Sequence, residues 1–165
     1  MKILVLFFSL AGINWLTADD AARIAVQWAI PLIEKSAAIY TQERDCFSCH
    51  HQALTMMTLS HAKLAGLSVR DDTISAQTKF TLEYFGDRKD RLPKGEGVPG
   101  GSYSAGYALA GLAVAKESTN EISKALVQYL LKKQNKDGSW RIRTHRPPLE
   151  DSDLTATALG IKGIP

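Results

Sequence analysis

Residues 124–140, KALVQYLLKKQNKDGSW, combine an amphipathic helix, a tight turn and a tryptophan. Apolar side chains recur three and four positions apart in this segment, as on one face of a helix, at Leu126, Tyr129 and Leu130. Asp137-Gly138 is typical of a turn. Trp140 follows the turn closely enough to pack back beside the end of the helix, where it can meet Gln134. We therefore predict a helix whose C-terminal end is covered by the tryptophan.

A weaker copy of this unit lies upstream. Gly101-Ser102-Tyr103 resembles Gly138-Ser139-Trp140, and residues 107–112 (YALAGL) resemble residues 157–162 (TALGIK). Internal similarity of this kind is typical of proteins that stack one supersecondary unit on the next. We expect helical repeats that bury a shared core.

The spacing of Gln134, Gly138 and Trp140 is that of the QW repeat, Gln-x-x-x-Gly-x-Trp. In this respect the chain resembles the terpenoid cyclase and protein prenyltransferase superfamily. The resemblance covers residues 124–140, with looser support over residues 101–163. It implies an α/α toroid, in which consecutive helices alternate between an inner and an outer ring. A complete toroid needs more helix pairs than this chain offers, and the chain stops inside an apolar helical segment, so we expect a fragment of one.

Helical patterns cover the rest of the chain, and we find no strand pattern, so we predict an all-α fold. The helices are expected at about residues 21–30, 31–42, 50–65, 73–85, 103–115 and 120–134, with a last one through Ile161. Pro31 disfavours helical geometry at Ile30 and is expected to separate the first two. The helix that starts at His50 is expected to carry one stripe of His50, Leu54, Met57, His61 and Leu64, with Gln52, Thr55 and Lys63 on the opposite side.

Residues 1–18 have the layout of a secretory signal peptide. Lys2 precedes an apolar run, and Ala18 is a suitable small residue before a cleavage point. The run is shorter than the roughly 20 residues that a spanning helix needs. We therefore expect export to the periplasm or secretion by a bacterium, without a stable transmembrane anchor. Residues 19–70 would follow as a helical segment, continuous with the repeats of residues 71–165.

Both cysteines of the chain lie in Cys46-Phe47-Ser48-Cys49-His50. Cys-x-x-Cys-His is the pattern for covalent attachment of a c-type haem, in which both thiols form thioethers and the adjacent imidazole binds the iron. The two intervening residues fold into one turn that brings both sulfurs to one edge of the porphyrin. We predict haem c attached to Cys46 and Cys49, with His50 as a metal ligand. Export agrees with this, because haem c is attached outside the bacterial cytoplasm.

Three other interpretations of the cysteines stay open. In an exported protein the two thiols can pair as a disulfide or act as a redox dithiol. With His51, His61 or His145 they can bind zinc. The match to the haem motif can also be accidental.

The remaining histidines differ in whether they can bind the iron as a second ligand. His61 lies on the helix that His50 opens, roughly 16 Å away, and cannot reach the opposite face of a haem. His51 points about 100° away from His50 and is expected to make a local hydrogen bond. His145, in a loop, is the candidate for a second iron ligand. Candidates for holding haem propionates or an anionic partner are Arg141, Arg143 and Arg146, although a solvated basic loop is the simpler interpretation.

Residues 151–156, DSDLTA, are similar to the Asp-x-Asp-Asp-Thr-Ala motif of squalene-hopene cyclases, whose middle aspartic acid protonates the substrate alkene. By position Asp153 would be that catalytic acid. However, Leu154 stands where the motif has an acid, and Asp153 stands where it can cap the last helix, which would stabilise its anion. We expect the cap.

The predicted function is that of an exported c-type haem-binding helical repeat protein, with a role in electron transfer to a redox partner protein or in haem-dependent binding. The less favoured alternatives are a terpenoid cyclase-like enzyme acting on an apolar isoprenoid, and a helical scaffold that holds zinc or no cofactor. With 165 residues, 45% hydrophobic content and a net charge of +3, the chain is one domain or part of one. Its charge is not gathered in a basic block, so nucleic acid is not an expected partner.

Overall fold

The computed structural model describes residues 18–142 and 152–164, and all regular structure in this part of the chain is helical. The six α-helices are α1 (Ala18–Glu43), α2 (Leu54–Leu64), α3 (Asp71–Gly86), α4 (Gly101–Val114), α5 (Glu121–Lys133) and α6 (Asp153–Gly163). A π-helical turn, Cys49–Ala53, leads into α2, and a short 3-10 helix, Leu92–Lys94, precedes α4. The predicted all-α class is confirmed. The predicted signal peptide lies outside the described residues, except for Ala18.

The helices pack in two layers of three. In one layer α4 lies between α2 and α6, and in the other α3 contacts both α1 and α5. Contacts between the layers join α1 to α2, α2 to α3 and α4 to α5. Successive helices therefore alternate between the layers. None of the helices described is long and apolar enough to cross a membrane.

The predicted break at Pro31 is wrong, because α1 continues through this residue. A proline inside a helix removes one backbone hydrogen bond and costs free energy. Contacts on both sides of it offset that cost. Ile30 is only 2% exposed and packs against α2. Gln27 before the proline and Glu34 after it each accept a hydrogen bond of 2.8 Å from backbone amides of the loop between α2 and α3.

The predicted stripe at the start of α2 is wrong as well. His50 and His61 are exposed and Leu64 is 71% exposed, whereas Gln52 and Thr55 are buried. One reason is the π-helical turn, which holds more residues per turn than an α-helix and so shifts the register of the residues that precede α2. The other is that α2 packs against both α3 and α4, and these neighbours decide which face is buried.

Helix α4 is buried nearly all round. Two glycines bring its neighbours close. A Cβ atom at Gly106 would lie 2.7 Å from the Cβ and 2.8 Å from the carbonyl carbon of Leu159 on α6. A Cβ atom at Gly111 would lie 2.7 Å from the Met56 side chain and 3.1 Å from the Cα of Ala53. Helix α4 therefore touches α6 and the start of α2 at distances that no larger residue allows.

The predicted helix–turn–tryptophan unit is present. Trp140 is 1% exposed, and its indole N–H donates a 2.8 Å hydrogen bond to the backbone carbonyl of Leu130 in α5. The turn residue Gly138 has a φ of +83°, which favours glycine. The side chain of Gln134 donates to the carbonyl of Gly138 at 3.0 Å, so the glutamine supports the turn rather than contacting the indole N–H.

We expect Trp140→Ala to lower the free energy of unfolding by about 3 kcal/mol, because it removes a fully buried aromatic side chain and its hydrogen bond. Denaturant unfolding measures this change. The matched control is Trp28→Ala. Because Trp28 is 77% exposed, its replacement should lower the free energy of unfolding by less than about 0.5 kcal/mol. Equal effects of the two substitutions would contradict the placement of Trp140.

A second pair of substitutions tests the contact between α4 and α6. Gly106→Ala should destabilise by about 2 kcal/mol, because the new methyl group meets backbone atoms that cannot move aside. Gly86→Ala is the control, since a Cβ atom there would lie an ordinary 3.4 Å from the Ile122 side chain. We expect the control to unfold at the same or a slightly higher denaturant concentration than the parent.

Candidate functional site

The Cys-x-x-Cys-His turn follows α1 and runs into the π-helical turn, whose first two residues are Cys49 and His50. Ser48 has an extended backbone, with φ −126° and ψ 128°, and its hydroxyl accepts a hydrogen bond from the amide of His51. The amide of Ser48 donates a 2.7 Å hydrogen bond to the side-chain oxygen of Gln52. Serine is a favoured residue for starting a helix because it satisfies amides that have no partner inside the helix. Ser48 and Gln52 together fix the conformation of the turn.

The two thiols lie in different environments. Cys46 is exposed, and its Sγ is 3.1 Å from the hydroxyl of Tyr40. Cys49 is 6% exposed, and its Sγ is 3.6 Å from the hydroxyl of Ser104 on α4. Cys49 also belongs to a small core cluster with Tyr103 and Leu159. A reagent in solution therefore meets Cys46 first, while α4 covers Cys49.

The two adjacent histidines also differ. His50 is exposed, whereas His51 is partly buried. The Nδ1 atom of His51 lies 3.2 Å from the hydroxyl of Ser48, which is the local hydrogen bond predicted for this residue. Its ring stacks on that of Tyr40, with centroids 4.2 Å apart and planes 13° apart. Burial lowers the pKa of His51, and the neighbouring charge of His50 lowers this pKa further.

Tyr40 joins this cluster to the exposed thiol. Burial raises the pKa of Tyr40 to about 12, and the hydrogen bond with Cys46 contributes in the same direction. The phenol is therefore protonated at neutral pH and can donate to the sulfur. A groove of about 380 Å³ opens beside Tyr40 and His51 along the C-terminal half of α1. Its apolar walls come from Leu32 and Ile39, and its charged residues are Lys35, Glu43 and Arg44.

The zinc alternative and the haem hypothesis both need side chains that can bind a metal ion. In residues 18–142 and 152–164, no three His, Cys, Asp or Glu side chains converge on a position where they could hold a metal ion. The zinc alternative therefore finds no preformed site there. His61 is exposed near the end of α2, and the candidate second ligand His145 lies outside the described residues.

A haem fits the turn in part. Cys46 and His50 are exposed, and the groove beside Tyr40 has apolar walls and cations of the kind that a carboxylated ring would contact. Cys49 can form a thioether only if its side chain moves away from Ser104, because α4 covers its sulfur in this structure. Arg141 lines a different cavity, together with Lys133 and Gly101, while Arg143 and Arg146 lie outside the described residues.

Asp153 does not cap α6 as predicted. The cap is Ser152, whose hydroxyl accepts from the amide of Thr155 at 3.3 Å. Asp153 is the first residue of the helix, and its carboxylate accepts a 2.7 Å hydrogen bond from the amide of Ile142. It thereby joins the segment after Trp140 to α6. Asp153 is exposed and is not enclosed in an apolar cavity of the kind that alkene protonation requires.

Sequence reasoning missed the polar residues that surround the turn. Tyr40 precedes the motif on another helix, and Ser104 lies far along the chain on α4. No spacing rule connects either of them to the cysteines. Gln52 follows the motif directly, and the predicted stripe puts it on the opposite, solvent-facing side of the helix, whereas it is fully buried.

We expect the phenol of Tyr40 to ionise with a midpoint near pH 12 in an ultraviolet titration of the folded protein. Folding raises this pKa above the ordinary value of 10.0, so the resulting stabilisation is complete below pH 10 and is lost as the pH rises through about 12. Cys46→Ala should move the midpoint down, because it removes the hydrogen bond, while burial continues to act. Cys49→Ala is the control and should leave the midpoint in place. An unchanged midpoint in Cys46→Ala would show that the contact does not form in solution.

Comparisons with known protein families, with curated proteins and with solved structures returned no match for this chain. The relation to the terpenoid cyclase and prenyltransferase superfamily therefore stays a prediction.

Proposed function

We propose that this chain is an exported haem c protein that works in electron transfer with a redox partner protein. The single observation that carries the proposal is the Cys46-x-x-Cys49-His50 turn, placed at the start of a helix with Cys46 and His50 exposed. This is the residue set and the spacing that covalent haem attachment uses. Periplasmic location and the signal peptide of residues 1–18 belong to the same proposal.

The residues that would hold the haem are Cys46 and Cys49 through thioethers and His50 through its imidazole. A bound haem supplies one-electron redox chemistry at its iron. The chain's own contribution is to place an apolar wall and charged groups next to the attachment point. Leu32 and Ile39 supply the wall, and Lys35 and Arg44 offer cations to carboxylate groups.

Attachment at both cysteines requires a change in the turn. The thiol of Cys46 is accessible in this structure. The side chain of Cys49 must leave its contact with Ser104 and turn toward the solvent. A sulfur–hydroxyl hydrogen bond is weak, so this contact alone does not prevent the exchange. The packing of Cys49 in the core cluster with Tyr103 and Leu159 opposes this movement more strongly than the hydrogen bond does.

The finer arrangement of the helices is also a proposal: an α/α toroid-like stack of helical hairpins, of which this chain forms an incomplete part. The alternation of successive helices between two layers supports it, since a toroid is built in the same way. So does the contact of α4 with α6, because these two helices carry the similar segments of residues 107–112 and 157–162.

Expression with a periplasmic haem-attachment system tests the function. The wild-type protein should show a Soret band and retain haem after denaturation, because thioethers survive unfolding. Cys46→Ala and Cys49→Ala should each lose fully covalent attachment. His50→Ala should alter the spectrum, since it removes an iron ligand without removing either thiol. The matched control is His61→Ala, since His61 is an exposed histidine of α2 and its loss should leave the spectrum unchanged.

A wild-type protein without a Soret band would contradict the proposal. If that protein carried stoichiometric zinc, the zinc alternative would replace it. If it carried neither haem nor zinc, the chain would be a helical scaffold whose cysteines serve another purpose.

A further inference from the structure

Two glutamines are buried beneath the Cys-x-x-Cys-His turn. Gln52 is 0% exposed and Gln77, on α3, is 1% exposed. The amide nitrogen of Gln52 donates a 3.2 Å hydrogen bond to the side-chain oxygen of Gln77. The side-chain oxygen of Gln52 accepts the 2.7 Å hydrogen bond from the amide of Ser48, the residue next to Cys49. The two side chains thus form a continuous connection from α3 to the backbone between the cysteines.

Stability alone does not account for this pair. An amide removed from water destabilises the protein unless it is hydrogen-bonded, and a satisfied hydrogen bond contributes only modestly to net stability. Methionine has a similar length, fills a core without this requirement and is usually tolerated there. A pair of methionines would therefore give the core comparable stability. What it would not give is a directional contact with the amide of Ser48.

We propose that Gln52 and Gln77 are positioning residues for the turn. By holding the amide of Ser48, they keep the peptide between the cysteines in the orientation that directs Cys49 toward Ser104 and leaves Cys46 exposed. They thereby decide which thiol is available first. The inference rests on the proposed function only in taking this turn as the attachment site, since the positioning itself concerns the protein without haem.

The experiment measures the alkylation of each thiol separately in the reduced full chain prepared without haem. A Cys46→Ser background leaves Cys49 as the reporter, and a Cys49→Ser background leaves Cys46. Gln52→Met removes both hydrogen bonds of the connection and should raise the alkylation rate of Cys49 about tenfold, which corresponds to the loss of a typical buried hydrogen bond. The rate of Cys46, which is already exposed, should stay the same.

The double variant Gln52→Met, Gln77→Met separates positioning from general destabilisation. It leaves neither glutamine side chain without its partner, so its unfolding midpoint should lie above that of Gln52→Met, although the amide of Ser48 still lacks its acceptor. The rate of Cys49 should nevertheless stay high, because the contact with Ser48 is still missing. The matched control is Thr81→Val: Thr81 is buried on α3 and bonds the backbone of Gln77, but it does not belong to the connection.

Two results would overturn the inference. One is a rate of Cys49 that stays at the parental value in Gln52→Met. The other is a rate that returns to the parental value together with stability in the double variant, since both glutamines would then act only through the core. Because haem is absent from every sample, neither result depends on whether haem attachment succeeds.

Discussion

Helices α4 and α6 meet where Gly106 faces Leu159, with no room for even one methyl group between them. This contact puts α4 inside the protein. Once α6 lies so close on one side and α2 meets Gly111 on the other, nearly every face of α4 is covered. Interiors packed at this density respond to single methyl groups, since neighbouring helices cannot shift independently. Helices α2, α3, α5 and α6 all contact α4.

The thiol site depends on the same central helix. Ser104 of α4 contacts Cys49, and Ala53 at the end of the π-helical turn lies against Gly111. The turn with its cysteines is thus built on one surface of α4, and the buried glutamines connect it to α3. The difference between the two thiols follows from this placement. Cys49 faces α4 through Ser104, whereas Cys46 is exposed to solvent.

The sequence predicted those features that local patterns determine. The helix that ends before Trp140, and its start at Asn120, follow from residues close in sequence. Long-range contacts decided the features that it missed. The tertiary contacts of Ile30 and its neighbours outweigh the local effect of Pro31. The burial of Gln52 depends on a partner on another helix, which no periodicity reveals.

The indole of Trp140 completes the helix that precedes it. At the end of α5 the amide of Gln134 bonds the carbonyl of Leu131 rather than that of Leu130, and the indole N–H takes its place at the Leu130 carbonyl. The helix and the residue that terminates it are therefore neighbours in sequence. A segment that finishes its own helix needs no residue further along the chain to satisfy this carbonyl. The helix that receives the indole must nevertheless match it closely, because a Cβ atom at Gly160 of α6 would lie 2.7 Å from the ring.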